Sequence, residues 1–173
     1  AIGGEAVGIA RAIPLQEAKL SSEIENIVTT QDALFQAALD ENRVTDLATR
    51  EVLRYRTALR RGFESVQSVP FRLRLLEDLC GVLRNEKVNF RTDDGVYIGN
   101  PAAKTVTYTP PKGTAVMRNK LRNLEEFLLA EDDDLDPLVR MAVAHYQFEA
   151  IHPFIDGNGR TGRILNILFL VQA

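Results

Sequence analysis

The stretch from His152 to Arg163, HPFIDGNGRTGR, sets one proline and three glycines between two helix-patterned runs, and it narrows the fold more than any other part of the chain. Gly157, Gly159 and Gly162 spell G-x-G-x-x-G, as in a dinucleotide-binding turn. That turn needs a preceding strand, a crossover to a parallel strand and an acidic residue about 20 positions on. Here residues 137–151 read as a helix, with Asp136 as N-cap and Pro137 in the first helical position, and only ten residues follow Arg163. A phosphate-binding P-loop fails as well, for want of its glycine spacing and its Lys-Ser/Thr pair. What remains is a glycine-rich turn opening a helix over 158–171, whose unpaired N–H groups make an anion site. Gly157 and Gly159 let an anion approach the backbone. Arg160 and Arg163, three apart, add two charges on one face. Each arginine opposes the helix dipole by a few tenths to about 1 kcal/mol, a cost that a bound polyanion reverses. Pro153 stops the preceding helix and leaves His152 at its C-terminal end, where an imidazole can take a proton at neutral pH. Asp156 offers a carboxylate to a hard cation such as Mg²⁺. Base, metal ligand, anion nest and arginines thus fall within twelve residues. His145 lies about 10 Å before His152 on the same helix face, too far to share a metal, and is expected to be a hydrogen-bonded structural residue.

The rest of the chain is mostly helical in period. Residues 15–39 read as helix, turn, helix, with Leu20, Ile24 and Ile27 on the first apolar face and Thr30 and Gln31 opening the second run. Residues 45–62 read as an amphipathic helix capped by Thr45 and ended near Gly62, with Leu47, Val52, Tyr55 and Leu59 facing inward. Its arginines at 50, 54, 56, 60 and 61 interleave with Asp46, Glu51 and Glu64, so they form a solvated face rather than a nucleic-acid surface. Further helices are expected over 71–83 and 116–129. Between those two, Val96, Tyr97 and Ile98 pair with Thr105, Val106, Thr107 and Tyr108 around Gly99-Asn100-Pro101, a β-hairpin closed by Pro110 and Pro111. A lone two-stranded ribbon is marginal unless it packs on something or receives another strand, and Tyr97 and Tyr108 are expected to pack on the helices. The acidic run 131–136 fails as a calcium loop, since Pro137 and Val143 occupy the positions that need glycine and glutamate.

Twenty-one basic against 24 acidic residues in 173 leave no global field to gather nucleic acid or anionic lipid. A single cysteine, Cys80, excludes a disulfide framework and a cysteine-rich zinc site, and is expected to be a small buried apolar residue. The longest apolar run, 164–171, is interrupted by Asn166 and too short for a bilayer, and the N-terminus has no basic-then-apolar leader. A soluble cytoplasmic protein is expected. The run is still helical in pattern at Ala173, so the natural protein is expected to continue.

His152, Phe154, Asp156, Gly157, Asn158, Gly159, Arg160 and Arg163 resemble the motif of the Fic family, H-x-F-x-[D/E]-G-N-G-R-x-x-R, without a departure. The resemblance extends to His145-Tyr146-Gln147-Phe148-Glu149 and to the hairpin, which looks like the family's target-positioning flap. Ser21, Glu25 and Asn26 fit the family's inhibitory pattern [S/T]-x-x-x-E-[G/N]. The resemblance implies a mainly α bundle with a β-hairpin flap, an N-terminal helical region over 1–90 with its inhibitory helix near 15–27, and a catalytic core over 91–173. It implies transfer of AMP from ATP to a hydroxyl of an unidentified target protein. His152 is then the general base and Asp156 the Mg²⁺ ligand. Gly157, Asn158 and Gly159 hold phosphates, Arg160 and Arg163 neutralise the β and γ groups, and Glu25 inhibits by pairing with Arg163.

Two alternatives share these residues: hydrolytic removal of AMP, or transfer of another phosphate-containing group. The intact Gly157-Asn158-Gly159 argues against the kinase-like relatives, which differ there. A third reading is a non-catalytic interaction module, which the balanced charge does little to support. A homo-oligomer is left open.

Overall fold

The computed structural model describes residues 2–40, 44, 46–100, 103, 105–130 and 134–173, with side chains from Ala12 onward apart from Ala38. Among them the helices are α1 (Ile2–Glu23), α2 (Gln31–Leu39), α3 (Leu47–Ser68), α4 (Leu73–Arg84), α5 (Thr114–Leu129), α6 (Pro137–Ile151) and α7 (Asn158–Gln172). The ribbon of β1 (Ile98–Asn100) and β2 (Thr105–Tyr108) lies between α4 and α5. The mainly α architecture expected from the sequence is the one observed, and no described helix is long and apolar enough to cross a membrane.

Two apolar clusters fill the interior. One joins Leu15, Leu34, Val52, Tyr55 and Leu59 to Leu79, Leu83, Ile164 and Leu168; the other joins Leu76, Cys80, Met117, Leu121, Phe148, Phe154 and Leu165. Helices α4 and α7 contribute to both, because each is apolar on two sides. The first turn of α7, which carries the glycine stretch, is therefore wedged between the two halves of the molecule.

Several local expectations change. Helix α1 starts at Ile2 and runs through Pro14, which removes one ladder hydrogen bond and can kink a helix without ending it. Its buried face carries Leu15, Ala18, Ser21 and Ser22, whereas Leu20 and Ile24 are 50% and 65% exposed. Small residues let α1 lie close on its neighbours. Helix α3 is capped by Asp46, whose Oδ1 accepts from Thr49 N at 2.7 Å; the expected cap, Thr45, lies outside the described residues. Leu47 is exposed. Gly62 does not end α3: a Cβ there would stand 2.6 Å from Leu168 Cδ1, so the glycine serves the close crossing of α7. The caps Thr30 and Asp136 are as expected, accepting from Ala33 N at 3.1 Å and Leu138 N at 2.8 Å. Residues 131–133 of the acidic run lie outside the described residues.

The ribbon pairs Ile98 with Tyr108, Gly99 with Val106 and Asn100 with Thr105, and a bulge leaves Thr107 without a partner in the register. Val96 and Tyr97 precede β1, while Gly99 and Asn100, expected as turn residues, are in it; Pro101 lies outside the described residues. Tyr97 and Tyr108, expected to pack on the helices, remain 48% and 40% exposed, and every residue of β2 is exposed.

Candidate active site

The segment between α6 and α7 is anchored by Phe154, fully buried, whose ring lies 5.5 Å from that of Phe90 and 6.4 Å from that of Phe148. Asn158 braces the same loop. Its Oδ1 accepts from Phe154 N at 2.9 Å and its Nδ2 donates to Phe154 O at 2.8 Å. The Asn158 side chain is thus engaged with the backbone, and its backbone N–H is what it presents at the helix start.

His152 caps α6 in the left-handed region, φ 49° and ψ 62°, with its N–H donating to Phe148 O at 3.0 Å. The Nδ1 atom lies 4.0 Å from Glu149 Oε2 and has no hydrogen bond of good geometry among the described residues. Burial lowers the His152 pKa below the usual 6.5, an effect the Glu149 backbone carbonyl partly opposes. Glu149 is pushed the other way by burial, against the nearby Arg163 charge. His145 departs from expectation: its Nδ1 is buried without a hydrogen-bond partner among the described residues.

Gly157 is the N-cap of α7 at φ 89°, and a Cβ there would stand 3.1 Å from Cys80 Sγ, so both conformation and space require glycine. Cys80 is buried as expected, and burial pushes its thiol up to about 11. No side chain caps α7. The first-turn N–H groups of Asn158, Gly159 and Arg160 have no helix carbonyl to bond, which leaves them free to meet an anion.

Asp156 Oδ1 accepts from Gly157 N at 2.6 Å, and Oδ2 pairs with Arg84 Nη1. The pair is half-exposed, so it yields readily to a competing ligand. No group of three or more His, Cys, Asp or Glu suited to a metal occurs among the described residues. A single half-exposed carboxylate such as Asp156 nevertheless fits Mg²⁺, which takes one or two carboxylates and leaves its other positions to phosphate and water.

The two motif arginines part company. Arg160 is buried and its Nη1 pairs with Glu51 Oε2 of α3 at 2.8 Å. Arg163 turns to α1: its Nε donates to Ser21 Oγ at 2.6 Å, and its Nη2 donates to Ser21 O at 2.9 Å and Glu25 Oε1 at 2.8 Å. Ser21 and Glu25, 142 and 138 residues away in sequence, thus meet the glycine motif. Glu25 also lies against Gly159, where any Cβ would collide with its carboxylate.

Asn26 explains how Glu25 gets there. It adopts φ 61°; its N–H donates to Glu23 O at 2.9 Å and that of Ile27 to Ser22 O at 3.1 Å. This is the Schellman ending of a helix, which wants glycine or asparagine in the left-handed position. Glu25 is the C-cap residue immediately before it.

Sequence reasoning missed Arg84, Glu51 and Arg91. Arg84 ends α4 and Glu51 looks like any solvated helix acid; both reach the motif only through tertiary packing. Glu149, one turn before His152, has no sequence signal beyond its place in the upstream resemblance.

Residues 7–64 match the family model "Fic/DOC family N-terminal" and residues 73–170 match "Fic/DOC family". A probable protein adenylyltransferase of Aquifex aeolicus is 30% identical over 162 residues, 91% of this chain and 48% of that protein. Protein adenylyltransferase fic-1 of Caenorhabditis elegans is 37% identical over 79 residues, 45% of this chain and 14% of that protein. The chain therefore spans about half or less of the length of these relatives. The crystal structure of a Fic family protein from Desulfovibrio desulfuricans superposes with a TM-score of 0.74 at 25% identity, covering 99% of this chain and 52% of that one. Fic-1 from C. elegans shares the fold, with a TM-score of 0.75 at 22% identity over 95% of this chain and 49% of that one. With the motif matched residue by residue and the family model spanning more than half of its length, the chain belongs to the Fic/DOC family.

Proposed function

We propose that the chain is the catalytic part of a protein adenylyltransferase, moving AMP from ATP to a side-chain hydroxyl of a target protein, and that Glu25 holds it inactive. The observation that carries this reading is the seat of Glu25, on Arg163 and against Gly159 at the N-terminus of α7, where a phosphate group would gain both the guanidinium and the helix end. The adenylyltransferase names of the relatives support the same activity.

In this reaction the target hydroxyl oxygen attacks the α-phosphorus, its proton passes to His152, and the bond from the α-phosphorus to the bridging oxygen breaks, releasing pyrophosphate. His152 enters as the free base because burial disfavours its protonated form. The α7 N–H groups at Gly159 and its neighbours face the phosphates, and Arg163, once released by Glu25, neutralises the terminal group. Asp156 would hold Mg²⁺, which would supply charge neutralisation to the phosphates. Arg160 acts from behind the helix start, its charge shared with Glu51.

The hairpin is the proposed target dock. Its β2 residues are exposed, and Tyr108 leads into a groove of about 700 Å³ lined also by Pro111, Val143, Tyr146 and Ile151, the residue before His152. An extended target segment added at the ribbon would lead toward the base. Mass spectrometry after incubation with Mg²⁺, ATP and candidate targets tests the activity, a mass increase of one AMP being the expected result.

Two outcomes follow here. Thr107→Pro removes an N–H at the residue unpaired in the register, so target labelling should fall while ATP affinity holds; equal loss of both points to another docking surface or to misfolding. The rate of Glu25→Gly against pH should fall on the acid side with its midpoint below about 6.5, since the folded His152 pKa is depressed and the free base persists below the ordinary value. A midpoint above that value removes His152 as the base.

A further inference from the structure

We propose that Arg91 is a positioning residue that ties the base of the flap to the backbone carrying His152, so that a docked target strand and the general base are held as one body; this rests on the adenylyltransferase reading above. Arg91 lies between α4 and β1 and is 5% exposed. Its Nε donates to His152 O at 2.8 Å and its Nη1 to Asp93 O at 2.7 Å. Its Nη2 donates to Pro111 O at 2.9 Å and to Ile151 O at 3.3 Å. The Arg91 backbone N–H donates to Pro153 O at 2.8 Å. Asp93 and Pro111 flank the hairpin on its two sides, so one side chain grips both ends of the flap and the end of α6.

The chemistry is specific to arginine. No carboxylate pairs with Arg91 among the described residues; its charge is met by carbonyls, two of them at the negative end of α6. Burying a cation this way is costly unless its donors are used, and an apolar side chain would fill the same space more cheaply. The planar five-donor fork matches carbonyls arriving from three segments, a geometry that the three-donor ammonium of lysine lacks. The tie matters because the chain swings into the left-handed region at His152, φ 49°, as it leaves α6, and because the exposed ribbon has little packing to set its own stance. Arg91 supplies the constraint that neither segment supplies for itself.

Hydrogen exchange by mass spectrometry on Glu25→Gly and on Glu25→Gly with Arg91→Lys tests this. The lysine variant should raise exchange about tenfold in both 96–108 and 150–157, leave α3 unchanged, and keep ATP affinity within about twofold. A rise in one segment alone, or in neither, overturns the proposal. If exchange rises throughout, the decision passes to the protein with Arg91 intact in low denaturant, where the two segments must open together; independent opening overturns the tie. AMP transfer is measured on Glu25→Gly in parallel. Its absence would count against the adenylyltransferase reading, while the exchange result still decides the Arg91 tie.

Discussion

His152→Ala, made in the Glu25→Gly background, is expected to lower AMP transfer by about 10²- to 10⁴-fold, the usual contribution of a positioned general base, while ATP affinity changes little. The two effects separate because the imidazole and the phosphate contacts sit on different elements. His152 caps α6, whereas Arg163 and the open N–H groups belong to α7. The left-handed backbone at His152 complicates alanine, which resists φ 49°. Asparagine tolerates that conformation and carries no base, so His152→Asn is the cleaner second variant. Both should bind ATP with near-parental affinity in a calorimetric titration and fail to label target. Labelling near the parental rate in His152→Asn would mean that another group takes the proton, and Glu149, 4.0 Å away, would be the first to examine.

Glu25→Gly by itself is expected to raise AMP transfer by about 10- to 100-fold. Freeing Arg163 restores a charge-assisted hydrogen bond to the terminal phosphate, worth about 1.5–3 kcal/mol. Arg163→Ala in the same background should return the rate to the parental level or below. Folding stability should hardly move. The Glu25 side chain is 40% exposed, and solvent screens such a pair to a small net contribution. Glycine at the C-cap also leaves the left-handed Asn26 in place to end the helix. Removal of AMP from a labelled target should be followed on the same preparations, since the Glu25 carboxylate beside the α7 terminus is also placed to orient water. If both rates are unchanged in Glu25→Gly, Glu25 is a surface ion-pair partner and its inhibitory role falls, whatever becomes of His152.

The sequence by itself determined the helical character, because apolar period, caps and breakers are local. Thr30 and Asp136 mark helix starts through hydrogen bonds within a few residues, and Pro153 marks a helix end through the steric limit it sets on the residue before it. It also carried the twelve-residue motif and the Ser21-Glu25-Asn26 pattern, since each resides in one continuous segment. What only the tertiary structure decided is where the charged side chains go. Arg160 and Arg163 share a short stretch of helix, yet one pairs with Glu51 on α3 and the other with Ser21 of α1 and Glu25 in the turn that follows it. Leu20 and Ile24 face solvent while Ser21 and Ser22 are buried, because close packing of α1 selects small residues over apolar ones. Gly62 looked like a helix end and proved to be the seat of Leu168. Arg91 carries no sequence signal at all, since its partners are backbone carbonyls, which every residue possesses, and only the fold decides which of them converge.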